Sequence, residues 1–146
     1  MRRYTHIIFG VGLSISILSP FIHISYLPIV TIISGIGSVV PDLDTRFRHR
    51  KALHNILSLV VTSIVVLIIV LRAGMGWVPA ASYALGYISH IIGDLMTKRG
   101  VAILYPFRGK YYRFPVVLGR SEDLLVNVLG TVIGIILIFF GIWHFI

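Results

Sequence analysis

The sequence predicts an all-α membrane protein: one polytopic bundle of about five membrane helices, the first two short. Composition gives the first reason. Of 146 residues, 57% are hydrophobic and only 12% charged, too little polar surface for a soluble domain of this size. The second is the length of the apolar runs. Leu53 to Leu71 and Leu124 to Ile146 each hold about 20 residues with scarcely a charge, matching roughly 30 Å of hydrocarbon at about 1.5 Å per residue. The third is the placement of charge, which gathers on one face once the helices are drawn.

The first apolar segment runs from about Thr5 to Leu18 and stops near Pro20. A second runs from about Pro28 to Val40, where Pro41 and Asp42 end it. The third spans about His54 to Leu71, the fourth about Val78 to Met96, and the fifth about Asp123 to Phe145. The first two are short for full crossings, reaching about 20 Å each, and read either as a re-entrant hairpin or as spans through thinned bilayer. No polar linker or repeat divides the chain, so residues 1–146 read as a single domain. With no cysteine, disulfides and thiolate metal sites are excluded.

On this odd-numbered path the amino terminus, the loop from Leu43 to Leu53 and the loop from Thr97 to Glu122 share one face. Every Lys and Arg except Arg72 falls there. The positive-inside rule makes that face cytoplasmic, with the amino terminus inside, the carboxyl terminus outside and the chain multi-pass in the cell (inner or plasma) membrane. The same rule accounts for the net charge of +8, so no nucleic-acid partner is expected. It does not govern acids. Yet Asp42, Asp44, Asp94, Glu122 and Asp123 all fall at the cytoplasmic helix ends, level with His6, His49, His54 and His90.

His90 and Asp94 are four residues apart on a helix, so both side chains leave one face about a turn apart. That spacing suits two ligands of one metal centre. Asp42 and Asp44 follow a helix end, where irregular backbone can aim both carboxylates at one cation. Taken singly, each feature has a plainer reading: an interfacial hydrogen-bonded pair, a turn after proline, solvated loop histidines. Together they place His6, Asp42, Asp44, His49, His54, His90 and Asp94 at one depth near the membrane boundary, where unpaired ionisable groups are costly and usually functional. Imidazole with carboxylate favours Zn²⁺, Mn²⁺ or Fe²⁺ over Ca²⁺. Seven candidates exceed the three or four ligands of one catalytic zinc, which leaves room for two ions. Ser89 and His90 are adjacent on a helix and point about 100° apart, so they form no nucleophile dyad.

At these residues the sequence resembles the YdjM-like family of membrane-bound metal-dependent hydrolases. The resemblance runs through His6, "PDLD" at 41–44, "HRKALH" at 49–54, "LGYISHIIGDLMTKRGVAILYP" at 85–106, "YRFP" at 112–115 and the acid at Glu122. Where relatives commonly read His-Arg-Gly-x-Thr-His-Ser, this chain carries Lys51, Leu53 and Asn55 and keeps both histidines. The resemblance implies a membrane and a metal, and leaves the substrate open.

The expected function is a membrane-embedded metal-dependent hydrolase working at the cytoplasmic headgroup level. Its cofactor is a divalent metal, Zn²⁺ or Mn²⁺, and its substrate an ester or phosphoester of a membrane lipid or lipid-linked amphiphile. Asp94, Asp44 and Glu122 are the candidate catalytic acids, and Arg50, Arg108, Lys110, Arg113 and Arg120 the candidate clamp for a phosphate. The alternative is a non-enzymatic protein with a structural metal site, or one that handles lipid or ions. A structural site would be closed by protein ligands, and a catalytic one would keep an open position.

Overall fold

A computed structural model describes residues 1–47 and 51–146. They form five α-helices: α1 (Arg3–Leu18), α2 (Leu27–Val39), α3 (Ile56–Arg72), α4 (Val78–Leu95) and α5 (Leu124–Trp143). Extended pairing among the described residues is limited to two isolated bridges, Thr97 with Gly119 and Val101 with Tyr112. The α-helical parts of α1 and α2 are 16 and 13 residues long, short as the sequence predicts. Turns of 3₁₀ helix at Ser19–Phe21, Ile24–Tyr26 and Val40–Phe47 lengthen them. Arg3–Phe21 and Ile24–Asp44 then join Leu124–Trp143 as helices long and apolar enough to cross a membrane, while Ile56–Arg72 is a shorter apolar helix.

Helix starts follow local chemistry. Pro28 and Pro79 sit in the first turns of α2 and α4, where a missing N–H costs nothing. Asn55 caps α3: its side-chain oxygen accepts from Ser58 N at 2.8 Å, and its amide donates to the Lys51 and Ala52 carbonyls.

α4 is the axis of the bundle, packed against α1, α2 and α3, while α5 packs along α1. Small residues set the closest approaches, because apolar lipid gives helices little hydrophobic reason to associate and contact must come from packing. A Cβ at Gly86 would lie 2.1 Å from the Ser34 carbonyl oxygen, and one at Gly37 would lie 2.2 Å from the Tyr83 carbonyl oxygen. The α2 and α4 backbones therefore touch. Large apolar side chains point the other way, with Ile64, Ile68 and Ile69 of α3 and Phe139, Phe140 and Trp143 of α5 exposed.

The starts of α1 and α5 are tied together. Asn127 Oδ1 accepts from Arg2 N at 2.7 Å and from Thr5 Oγ1 at 3.1 Å. The loop after α4 folds back over the same end of the bundle. Phe114 N donates to Leu95 O, Leu118 N to Met96 O, and Ile56 N to Ile103 O. Val101 and Ala102 are buried beneath this loop, while Phe107, Tyr111 and Phe114 face outward. With the helices running alternately, the start of α1, the end of α2, the start of α3 and the end of α4 meet at one level.

Candidate metal centre

Four of these segments deliver histidines and aspartates to a single buried cluster. His6 comes from the second turn of α1, His90 and Asp94 from the last two turns of α4, and His54 from the turn before α3. Asp42 and Asp44 lie on the 3₁₀ turn Val40–Phe47. His6, His54 and His90 are each 1% exposed or less.

The 3₁₀ turn decides what the two aspartates do. At about three residues per turn, positions two apart point about 120° from one another. Asp42 Oδ1 accordingly faces the inner nitrogens, 3.9 Å from His54 Nε2 and 3.8 Å from His90 Nε2. Asp44 Oδ1 instead lies 3.2 Å from His54 Nδ1, and Asp44 Oδ2 accepts from Leu53 N at 2.9 Å. The sequence expectation that both carboxylates aim at one point is thereby modified: they flank the same imidazole from its two nitrogens.

His90 is oriented in a parallel way. Its Nδ1 lies 2.7 Å from the Ser38 carbonyl oxygen. A carbonyl only accepts, so Nδ1 carries the proton and Nε2 the lone pair. For His54 the negative Asp44 oxygen beside Nδ1 draws the proton to that nitrogen, off the ideal hydrogen-bond axis; neither atom has a hydrogen-bond partner. Histidines that bind metal characteristically turn one N–H toward a carboxylate or a backbone carbonyl in this fashion.

Both Nε2 atoms then point inward, 3.3 Å apart. Asp94 Oδ2 lies 3.6 Å from each of them. Two facing lone pairs repel unless a proton or a metal ion lies between them. Ligand atoms on one tetrahedral ion with bonds of about 2.0–2.2 Å stand about 3.3–3.6 Å apart. His54 Nε2, His90 Nε2 and Asp42 Oδ1 lie 3.3 to 3.9 Å from one another, and Asp94 Oδ2 lies 3.6 Å from both nitrogens. The donor set therefore fits a divalent cation. Burial, and next to it the neighbouring His90, pushes the His54 imidazole below its ordinary 6.5, against the pull of Asp94, Asp44 and Asp42. A depressed value keeps the ring neutral, the form that binds metal.

Asp94 also serves a second group through its other oxygen. Oδ1 lies 3.5 Å from His6 Nε2 and 3.2 Å from the Met1 amino group. The His6 ring stacks on His90 at 3.9 Å between centroids and 16° between planes, and its Nδ1 is buried without a hydrogen-bond partner. Among the described residues two triplets could hold a metal ion: His6, His90 and Asp94, and Asp42, His54 and His90.

The other sequence candidates lie elsewhere. Glu122 is exposed and lines a charged pocket with Lys98, Arg99, Arg120 and Ser121. Arg108 and Lys110 are exposed, the Lys110 ammonium 5.9 Å from the Tyr112 ring centre. Arg113 is exposed and donates to Lys98 O at 3.4 Å. His49 and Arg50 lie outside the described residues.

Three supporting residues escape the sequence reading. Ser38 contributes a backbone carbonyl from the last turn of α2, which takes the His90 Nδ1–H. Asn127 is a polar residue one turn into a helix whose other polar side chain is Thr131, a visible signal whose partner was not. Tyr87, fully buried, donates its hydroxyl to Leu53 O and so steadies the turn that carries His54.

The comparisons with known proteins agree with the apolar helices. The YdjM inner membrane protein family matches residues 1–145. The chain belongs to that family. Two curated relatives named inner membrane protein YdjM, from Escherichia coli (strain K12) and Shigella flexneri, are 31% identical to it over 83 residues. The match covers 54% of this chain and 40% of each relative's length. No solved structure matches the chain. YdjM membership and the apolar helices establish a membrane location.

Proposed function

We propose that residues 1–146 form one membrane-embedded, metal-dependent hydrolase domain, with the cluster at the cytoplasmic headgroup level, the amino terminus inside and the carboxyl terminus outside. The observation that carries the reading is the pair of inward-facing Nε2 atoms of His54 and His90, 3.3 Å apart. His54, His90, Asp42 and Asp94 would hold the ion, Zn²⁺ or Mn²⁺ by their nitrogen and oxygen donors. When bound, such a cation supplies Lewis acidity, polarising a substrate oxygen and acidifying water.

The chain's own residues supply the rest. Asp44 and the Ser38 carbonyl hold the two imidazoles in register. Asp94 presents Oδ2 to the donor set and Oδ1 to His6 Nε2, so a proton taken up at Asp94 has a buried neighbour to pass to. Where His54, His90 and Asp42 alone hold the ion, the free Asp94 carboxylate serves as general base. Asp42 is the most open member, with 13% of its side chain accessible against 7% or less for the other three, so substrate would enter on that side. The triplet of His6, His90 and Asp94 is an alternative position for the ion, since it shares His90 with the first set.

The substrate class is an ester or phosphoester of an amphiphile. A site at headgroup depth receives lipids by lateral diffusion, already oriented. Exposed aromatic residues (Tyr105, Phe107, Tyr111) interleave with Arg108 and Lys110 on the loop beside it, a composition suited to the interface and to phosphate. A closed structural cation site is the second reading, favoured by the near-complete burial of His6, His54 and His90.

Turnover of membrane lipid extracts and lipid-linked phosphates by metal-loaded protein tests the proposal, with Asp94→Asn as the control. Hydrolysis by wild type alone is the expected result. Equal inertness of both proteins across several metals would leave the structural reading standing.

A further inference from the structure

Away from the histidine cluster, the end of α4 and the start of α5 frame a second charged feature. Lys98, Arg99, Arg120, Ser121 and Glu122 line a pocket of about 430 Å³. The backbone builds it. Lys98 N donates to Gly119 O at 2.9 Å, and Thr97 bridges to Gly119, so residues 98–99 and 120–122 are held side by side. Arg113 Nη1 adds a bond to Lys98 O at 3.4 Å.

The charge balance of this pocket is three cations against one carboxylate. The other acid close by is already engaged, Asp123 Oδ2 accepting from Arg120 N at 2.7 Å. The positive end of the α5 dipole begins two residues after Glu122, and its first turn receives no side-chain cap from Asp123. Directly along α5, Leu124 and Leu125 are 77% and 60% exposed, opening a helix apolar enough to cross the membrane. A basic pocket therefore stands at the point where a lipid-facing helix leaves the headgroup layer.

We propose that this pocket binds the phosphate of an anionic phospholipid, with the acyl chains lying along the exposed start of α5. The site is separate from the histidine cluster and needs no metal. Its occupant is a lipid rather than free phosphate, because the apolar surface continuing from the cations has no counterpart in a soluble anion. Such a lipid would hold the α4–α5 loop against the bundle end through Lys98, Arg99 and Arg120.

Native mass spectrometry after reconstitution in phosphatidylglycerol or phosphatidylcholine vesicles tests this. Wild type should retain phosphatidylglycerol and not phosphatidylcholine. The double variant Lys98→Gln, Arg99→Gln should lose retention by about an order of magnitude or more. Arg2→Gln, Arg3→Gln, which removes the same charge from exposed positions at the start of α1, should keep it. Metal content should be equal in all three, which separates this outcome from that of the hydrolase reading. Equal retention by both double variants, retention of phosphatidylcholine to the same extent, or displacement of the lipid by millimolar inorganic phosphate would overturn the proposal.

Discussion

His54 Nε2 and His90 Nε2 face each other at 3.3 Å, while Asp44 and the Ser38 carbonyl stand at the opposite nitrogens of the same two rings. The relationship joins one stretch of chain, from Ser38 to His54, to His90 of α4, 36 residues beyond His54, and it gives each supporting residue a measurable role.

Asp44 acts through His54. Asp44→Asn keeps the shape and removes the charge at Nδ1, and should weaken metal affinity about 10- to 100-fold. Asp42→Asn removes a donor from the inner set and should cost more. Titration of the two variants with Zn²⁺ by calorimetry orders the effects, and the reverse order would exchange the roles assigned to the two aspartates.

Gly86 and Gly37 set the α2–α4 contact that brings Ser38 O to His90. Gly86→Val places a side chain against the Ser34 carbonyl and should destabilise the protein by at least about 1–3 kcal/mol. Thermal unfolding in detergent reads this, with Gly109→Val, which meets no neighbour, as the comparison. Equal melting of the two variants would contradict close backbone packing there.

Asn127 fixes the start of α1 to α5, and with it His6. Asn127→Leu leaves the Arg2 N–H and the Thr5 hydroxyl without their acceptor, at about 1–3 kcal/mol for a buried donor left unpaired. Lower thermal stability than wild type is the expected reading, and unchanged stability would mean that the bond does not hold this corner.

Much of this arrangement was legible beforehand, for physical reasons that differ by residue. The helices announce themselves through apolar length, and His90 with Asp94 through a spacing that any α-helix converts into a shared face. The split between Asp42 and Asp44 was not legible, because it depends on the 3₁₀ geometry of Val40–Phe47, which neither hydropathy nor spacing encodes. Ser38 was hidden for another reason: its contribution is a backbone carbonyl, and a side-chain reading passes over it. Glu122 shares the level of the cluster along the chain yet lines a different pocket, since equal depth on one face does not fix lateral position.

Topology is checked by cysteine accessibility. Single cysteines at residues 45 and 105 should label from the cytoplasmic side, and one at Ile146 from the outside. Labelling of 45 and 105 from opposite faces would remove both the positive-inside orientation and the cytoplasmic placement of the cluster.

The central claim, a cation held by His54, His90, Asp42 and Asp94, is tested most directly by elemental analysis of purified protein with His90→Ala and His144→Ala alongside. Wild type and His144→Ala should each carry about one divalent ion or more per chain, and His90→Ala should lose it. A metal-free wild type whose melting temperature ignores added Zn²⁺ and Mn²⁺, or equal metal in the two variants, would contradict the claim.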